Sequence, residues 1–424
     1  MNGKIMDDSI SVKMMPKNCS LRIMALNVLN NVALLIIGAF IFDGFGLEVA
    51  ALTLLLIRWT EAAASILKSI SNISVLAIGS YWSNCYTKFL TFAVGVIFTV
   101  AALVYVTAAH LINLTGILAI AVYVVVDFLP CRHTDNELRF TIFPDQLRSS
   151  RYIISAFIYW ILISHGVVTS DNVVICVVVP LIVIKSSIFF VFASTRDYGK
   201  RRKIVCLSSS SLDISPTECI LRWIDILILP VFFDIKNIGI YIIARIFSET
   251  VRPLFLHLLQ AGSDLLRSRL KFSVNAGFVS AAARLNLGLF LIGGGISMIP
   301  LALGKFYAPA FGDDQQLFAF CLFFSVADHY CKALLGACEE VLRLTARRSE
   351  LVSLQSVSIL LFVAYCFYTE DLSLRGFTLS AAVMHIGLAA VFAGIVAYRF
   401  GIWPGPTAIL FGQIRLFQRT KNSA

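Results

Sequence analysis

The chain has 424 residues, of which 58% are hydrophobic and only 14% are charged. Soluble domains average roughly 45–50% hydrophobic residues and about 25% charged residues. This excess of apolar side chains excludes a soluble enzyme, a disordered scaffold and a disulfide-stapled secreted domain, because a single soluble core stops growing at about 250–300 residues. The formal net charge of +10 is typical of basic cytoplasmic loops and not of nucleic-acid binding. The composition therefore predicts a polytopic membrane protein.

Apolar runs long enough to form membrane-spanning helices recur along the whole chain. A helix needs about 20 residues to cross the roughly 30 Å hydrocarbon core of a bilayer. The sequence predicts twelve spans, at roughly 21–42, 46–67, 88–109, 111–130, 151–169, 172–194, 218–234, 238–260, 286–307, 316–339, 351–368 and 376–399. The expected fold class is therefore an all-α polytopic membrane protein.

The distribution of basic residues predicts how these spans are oriented. Cytoplasmic loops of membrane proteins carry an excess of lysine and arginine. When the N-terminus is placed in the cytoplasm, the basic residues concentrate on the inner loops, and the outer loops are acidic or neutral. Because one missed helix would invert every later loop, the alternation predicts a multi-pass protein with both termini cytoplasmic.

A polar, basic stretch divides the twelve spans into two halves of six. It reads STRDYGKRRK at residues 194–203, and charge runs of this kind are usually solvated linkers. We expect five segments: a cytoplasmic N-terminal segment at 1–20, an N-lobe of six spans at 21–194, a basic cytoplasmic linker at 195–217, a C-lobe of six spans at 218–399, and a cytoplasmic tail at 400–424.

Three basic residues lie deep inside predicted spans: Arg58 in span 2, Lys185 in span 6 and Arg245 in span 8. Ionisable groups within a bilayer are costly and usually face a cavity. A guanidinium can bind phosphate through two parallel hydrogen bonds, so we predict Arg58 and Arg245 as substrate-binding residues. Lys185 has no acidic residue within four positions on its own helix, so a substrate or another helix must balance its charge.

The acidic residues inside the spans stand three or four positions from a basic one, a spacing that places both on one helix face. They form four possible pairs: Arg58 with Glu61, Arg222 with Asp225, Arg245 with Glu249, and Asp328 with Lys332. Such pairs would lower the cost of inserting charge, and this structural interpretation is favoured for Arg222 and Asp225. Alternatively, Glu61, Glu249 and Asp328 are protonatable sites that couple transport to an ion gradient.

Span 1 carries asparagines where hydrocarbon would favour apolar residues. Asn27 and Asn31 are four positions apart and share one face, so they either line a polar path or hold helices together through hydrogen bonds. The sequence has no HExxH, GxSxG or GxxxxGK[ST] pattern, and its ten cysteines form no CxxC pair. We therefore expect no enzyme activity, no cofactor and no metal site.

Sequence around the predicted turn between spans 7 and 8 carries a family signature. Residues 220–227 (ILRWIDIL) and 232–249 (FFDIKNIGIYIIARIFSE) combine an Arg/Asp-bearing span 7, a short acidic outer turn and an IGIYIIAR run. Residues 303–311 (LGKFYAPAF) add a Gly-x-x-Tyr at the outer end of span 9. Together these stretches resemble the polysaccharide-transport flippases, of the oligosaccharide or O-antigen type, of the multidrug/oligosaccharidyl-lipid/polysaccharide exporter superfamily.

The resemblance implies two six-helix lobes that form a V-shaped central cavity. It also implies that the protein flips a polyprenyl-diphosphate-linked oligosaccharide from the inner to the outer leaflet, by alternating access, for exopolysaccharide, O-antigen or capsule export. Relatives that carry lipid-linked cell-wall precursors line this cavity with arginines from spans 1, 2 and 8, and Arg58 and Arg245 match spans 2 and 8. Span 1 departs from that pattern, since Asn27 and Asn31 stand in place of an arginine.

The implied partners are the lipid-linked glycan, membrane lipids and, in a bacterial inner membrane, a polysaccharide polymerase and export machinery, with no nucleic acid. An ion-coupled drug or organic-cation antiporter of the same superfamily is an alternative, but its cavity should be dominated by acids, and the deepest residues here are basic. A membrane-embedded glycosyltransferase or polymerase usually has a large outer loop. The outer loops predicted here have only about 4–12 residues.

Overall fold

The computed structural model describes residues 17–78, 151–169, 172–173, 176–184, 215–270, 274–345, 347–405 and 407. Helices dominate these ranges, which contain no β-strand, and the all-α fold class is confirmed. Predicted spans 3 and 4, nearly all of the basic linker and the candidate residue Lys185 lie outside the described residues.

The N-terminal half provides three long described helices: α1 (Lys17–Phe45), α2 (Leu47–Ile78) and α3 (Arg151–Ser164). Residues 176–184 are also helical. A single residue, Gly46, separates α1 from α2. Its φ of 88° lies in the left-handed region that favours glycine. The chain therefore reverses direction there within one residue, and α1 and α2 pack side by side.

The C-terminal half is an almost continuous series of helices: α4 (Pro216–Phe232), α5 (Ile235–Glu249), α6 (Arg252–Arg269), α7 (Ala276–Gly288), α8 (Gly294–Tyr307), α9 (Gln315–Leu335), α10 (Cys338–Leu344), α11 (Arg348–Tyr368) and α12 (Leu374–Phe400). A π-helical turn at Leu289–Gly293 joins α7 to α8, and a 3₁₀ segment at Ala308–Asp314 joins α8 to α9. The helices therefore follow the chain with very short connections.

Polar residues begin several of these helices by capping their free backbone N–H groups. Ser215 accepts a hydrogen bond from the N–H of Glu218 at the start of α4. Asp234, Asn275 and Ser373 do the same at α5, α7 and α12. These caps fix where the apolar segments start.

Predicted span 8, at 238–260, differs from expectation because it is broken between α5 and α6. The break falls at Thr250 and Val251, and Pro253 is the second residue of α6. Proline has no N–H to donate and is tolerated in the first turn of a helix but not in its interior. α6 also continues beyond the predicted end of span 8, as far as Arg269.

The two halves of the chain pack against each other through α1 and α2. α2 packs along α4 and α5, and α1 packs along α5 and α6. The approach of α2 to α5 requires Gly239, because a Cβ atom there would lie only 2.7 Å from the Cβ of Ala51. Near the end of α1, the ring of Phe42 stacks on Phe311 with centroids 5.7 Å apart. These contacts hold α1 and α2 against the C-terminal half.

Four stretches of the described chain are long and apolar enough to cross a membrane. They are Met24–Phe45, Ala276–Leu335 (which includes α7, α8 and α9), Ser349–Tyr368 and Leu374–Phe400. These helices also carry large aromatic side chains on their outer surface: Phe306, Tyr368 and Tyr398 are 84%, 87% and 91% exposed. An apolar exterior of this kind is what lipid requires of a membrane protein.

Candidate functional site

Charged side chains from both halves meet in the interior. The described helices place six cations and four acids there: Arg58, Arg151, Arg222, Arg245, Arg252, Lys332, Glu61, Asp225, Glu249 and Asp328. We call these ten residues the buried charge cluster. Its members carry an excess of two positive charges. The four acids, Arg58 and Arg245 are almost fully buried, whereas Arg151, Arg222, Arg252 and Lys332 are partly exposed, so the positive excess comes from the partly exposed cations.

The first part of the cluster joins the two halves through Arg58 of α2. Its Nη1 lies 2.7 Å from Oε2 of Glu61, and its Nη2 lies 3.3 Å from Oε2 of Glu249 on α5. Glu61 also accepts hydrogen bonds from Arg151 and, at 2.6 Å, from the hydroxyl of Tyr152 on α3. The Arg58–Glu249 ion pair therefore connects α2 of the N-terminal half to α5 of the C-terminal half.

The second part of the cluster lies within the C-terminal half and is centred on Arg245. Its Nε lies 3.4 Å from Oδ2 of Asp225 on α4, and its Nη1 lies 3.9 Å from Oδ2 of Asp328 on α9. The hydroxyl of Tyr241 donates to the same oxygen of Asp225 at 2.6 Å. Lys332 lies 2.9 Å from Asp328. Arg245 is thus held by two carboxylates from neighbouring helices.

The structure contains two of the pairs that spacing suggests, Arg58 with Glu61 and Asp328 with Lys332. The other two are wrong. Asp225 contacts Arg245 and not Arg222. Glu249 pairs with Arg58 and, at 3.7 Å, with Arg252, and not with Arg245. The physical reason is the same in both cases: packing of α4 and α2 against α5 offers each carboxylate a cation on another helix or beyond the break.

Arg222 is left without a carboxylate by this exchange of partners. Its guanidinium lies over the ring of Trp223, 4.7 Å from the centroid. Its Nε is buried and makes no hydrogen bond, and no ion pair joins it to any acid in the part of the chain that the structure describes. The sequence interpretation of Arg222 as half of a neutral pair therefore does not hold.

The span 1 asparagines lie beside the cluster. The side-chain amide of Asn31 donates to the backbone carbonyl of Glu249 at 3.0 Å, where α5 ends. Asn30 accepts from the backbone N–H of Tyr152 at 2.7 Å. Asn27 is half-buried one turn earlier on the face that Asn31 occupies. Of the two roles expected for Asn31, joining helices is the one its contact supports.

A small cavity adjoins Arg245 in the C-terminal half. Its lining is mixed polar and apolar: Asp225, Tyr241, Arg245, Phe324, Ser325, Asp328, Thr378, Ala381, Ala382 and His385. Within the described ranges, no group of three or more His, Cys, Asp or Glu side chains is placed to hold a metal ion. The cavity therefore offers a polar interior beside Asp328 and no set of metal ligands.

Three contributors to the cluster are not among the candidates that the sequence provides: Arg151, Tyr152 and Arg252. Each arginine lies near the predicted end of an apolar run or near a helix break. A cation at such a position usually extends to the membrane–water interface. Pro253 is the available signal for Arg252, because it marks a new helix start within span 8. No sequence signal marks Tyr152.

A solved multidrug transporter has the same architecture. The MATE multidrug transporter DinF-BH, solved in complex with rhodamine 6G, is 12% identical over 93% of this chain and 97% of that chain, with a TM-score of 0.55. This chain has the twelve-helix membrane fold of the MATE transporters. The expected fold class is thereby confirmed.

Two other MATE structures have similar coverage and lower TM-scores. A MATE point mutant is 12% identical over 92% of this chain and 97% of that one, with a TM-score of 0.49. An outward-facing multidrug resistance MATE transporter of the MOP superfamily is 12% identical over 91% and 95%, with a TM-score of 0.44. No family model and no curated protein sequence matches the chain.

Proposed function

We propose that this protein flips a polyprenyl-diphosphate-linked oligosaccharide across the membrane by alternating access, for polysaccharide export. The observation that carries the proposal is the positive excess of the buried charge cluster, which has six cations and four acids. An anionic ligand would neutralise that excess. A diphosphate suits it well, because guanidinium groups bind phosphate oxygens through paired, charge-assisted hydrogen bonds.

The physical demands of such a substrate match a closable polar cleft. The glycan and the diphosphate cannot cross about 30 Å of hydrocarbon unaided, whereas the polyprenyl tail can remain in lipid. The protein needs to supply cationic and polar side chains along a path, without any covalent chemistry. Arg58 and Asn27 lie on or near the interface between the two halves and would line this path, whereas Asn31 joins α1 to the end of α5 beside it.

The Arg58–Glu249 ion pair provides a means of coupling binding to movement. It crosses between the halves at 3.3 Å and is supported by the hydrogen bond from Asn31 to the Glu249 carbonyl. A phosphate that binds Arg58 competes with Glu249 for the same guanidinium. Substrate binding would therefore weaken a contact that holds the halves together and favour their relative motion.

Acidic members of the cluster are candidates for energy coupling. Glu61, Glu249 and Asp328 each contact at least one cation, so gain of a proton would release that cation. Asp328 is the member that lines the small cavity. The setting we propose is a bacterial inner membrane, with cytoplasmic termini and with a polysaccharide polymerase and export machinery as partners.

Leaflet exchange in proteoliposomes tests the proposal. A fluorescent polyprenyl-diphosphate sugar is placed in both leaflets, and a membrane-impermeant quencher is added outside. We expect the wild-type protein to make the inner-leaflet pool quenchable and Arg58→Ala to slow this at least about tenfold. Arg399→Ala is the matched control, since Arg399 pairs with Glu350 outside the cluster. If wild-type and empty liposomes behave alike over several glycans and imposed gradients, the proposal is refuted.

Drug or organic-cation antiport is the second candidate, and the similarity to DinF-BH supports it, since that transporter was solved with rhodamine 6G. The same liposomes discriminate between the two functions. An antiporter should accumulate the rhodamine dye when a proton or sodium gradient is imposed and should ignore the lipid-linked sugar. The excess of cations over acids in the whole cluster favours the anionic substrate.

A further inference from the structure

Trp223 on α4 stands between two arginines of the buried charge cluster. The guanidinium of Arg222 lies 4.7 Å from its ring centroid, and the guanidinium of Arg58 on α2 lies 6.0 Å from it. Both distances are within the range of cation–π attraction. Trp223 and Arg58 are each only 3% exposed. The three side chains thus form one buried group, which we call the donor pocket.

The donor pocket has hydrogen-bond donors without acceptors. The indole N–H of Trp223, the Nε of Arg222 and the Nε of Arg58 are all buried and make no hydrogen bond. Indole and guanidinium groups can donate but cannot accept. Native interiors satisfy nearly all their buried polar groups, so several unfilled donors side by side indicate a missing acceptor. An acceptor-rich, negatively charged group fits this requirement.

The nearest acids do not fill the pocket. Glu61 and Glu249 both contact Arg58. Oε1 of Glu249 makes no hydrogen bond and lies 3.7 Å from Arg252. Arg245 is in a different position, since Asp225 and Asp328 hold it within the C-terminal half. Arg222 is therefore the member of the cluster whose guanidinium has the most donor capacity to offer a ligand.

We infer that Arg222, Trp223 and Arg58 form the binding site for the phosphate groups of an isoprenoid diphosphate, with Arg222 as the principal contact. This inference rests on the proposed function and goes further, because it adds Arg222, beside Arg58, as the main anion contact. The Trp223 ring would orient the planar guanidinium of Arg222 and add a neutral N–H donor. Lysine could supply the charge but neither the stacking nor the paired donors.

Binding of farnesyl diphosphate to the full chain in nanodiscs tests the inference. We expect Arg222→Ala to weaken binding at least about tenfold, Arg222→Lys to restore little of it, and Trp223→Phe, which keeps an aromatic face but loses the indole N–H, to weaken it several-fold. Farnesol, which lacks phosphate, should bind all variants equally and weakly. Inorganic diphosphate, which lacks the lipid, should compete poorly. Arg399→Ala is the matched control and should bind like the wild-type protein.

The outcomes separate this inference from the proposed function. If the wild-type protein flips the lipid-linked sugar and binds farnesyl diphosphate, yet all three variants bind it equally well, the donor pocket is refuted and the flippase function stands. If inorganic diphosphate competes as well as the farnesyl compound, a lipid-linked ligand is refuted for this pocket. If Arg222→Ala does not fold, Arg222→Lys and Trp223→Phe keep the charge or an aromatic face and still decide the question.

Discussion

The hydrogen bond between Tyr241 and Asp225 allows a sharp test of how the second part of the cluster is stabilised. The tyrosine hydroxyl donates to Oδ2 of Asp225 at 2.6 Å, and the two residues are 2% and 1% exposed. Oδ1 of the same carboxylate makes no hydrogen bond. Tyr241→Phe removes one oxygen atom and leaves the ring in place. A hydrogen bond to a charged group contributes about 1.5–3 kcal/mol. We therefore expect Tyr241→Phe to lower the free energy of unfolding by that amount.

The measurement is the free energy of unfolding in mixed micelles with increasing SDS, followed by far-UV circular dichroism. Tyr398→Phe is the matched control, because Tyr398 is 91% exposed, and it should change the free energy by less than about 0.5 kcal/mol. In an Asp225→Asn background the effect of Tyr241→Phe should shrink, because the acceptor no longer carries charge. A loss below about 0.5 kcal/mol for Tyr241→Phe in the wild-type background would refute this account of the contact.

Three further predictions concern other parts of the fold. Gly336→Ala should lower the unfolding temperature strongly, because φ is 86° there and the new Cβ would lie 2.3 Å from Oδ1 of Asn286; Gly387→Ala, with open space around it, should not. Gly239→Val should slow leaflet exchange in the liposome assay more than it lowers expression, since a side chain there separates α2 from α5; unchanged exchange would contradict this role. The hydrogen bond to Asp314 raises the pKa of Lys236. The pair therefore stabilises the fold below the ordinary lysine pKa of about 10.4 and loses this effect as pH rises above it. Between pH 9 and 12, the unfolding temperature of the Lys236→Gln variant should fall less steeply than that of the wild-type protein.

The sequence predicts the layout of the fold because hydropathy and charge are properties of each segment alone. Runs of apolar residues give the spans, and the structure describes helices in all the predicted spans that it covers. The break in span 8 is harder to foresee. Pro253 permits a helix start, but the hydropathy of 238–260 is continuous across it, and only packing decides that the chain bends at Thr250 and Val251.

The candidate site is predictable in most of its members and not in their partners. Spacing along one helix correctly predicts the ion pair between Arg58 and Glu61. It fails for Asp225, because α4 packs against α5 and brings Arg245 and the Tyr241 hydroxyl to that carboxylate. Partner choice between helices depends on their relative rotation, which a single sequence does not contain. The charge excess of the cluster depends on which residues this packing brings together.

The number of residues in the π-helical turn at Leu289–Gly293 sets the rotation of α8 relative to α7. A π turn holds one residue more than an α-helical turn, and each helical residue rotates the following chain by about 100°. Downstream in α8, Gly304 lies so close to α9 that a Cβ atom would be 2.0 Å from a methyl group of Leu322. Deleting one residue within the turn would give a more regular helix but would rotate Gly304 away from this contact. An insertion or deletion within the turn would therefore disturb the packing of α8 on α9.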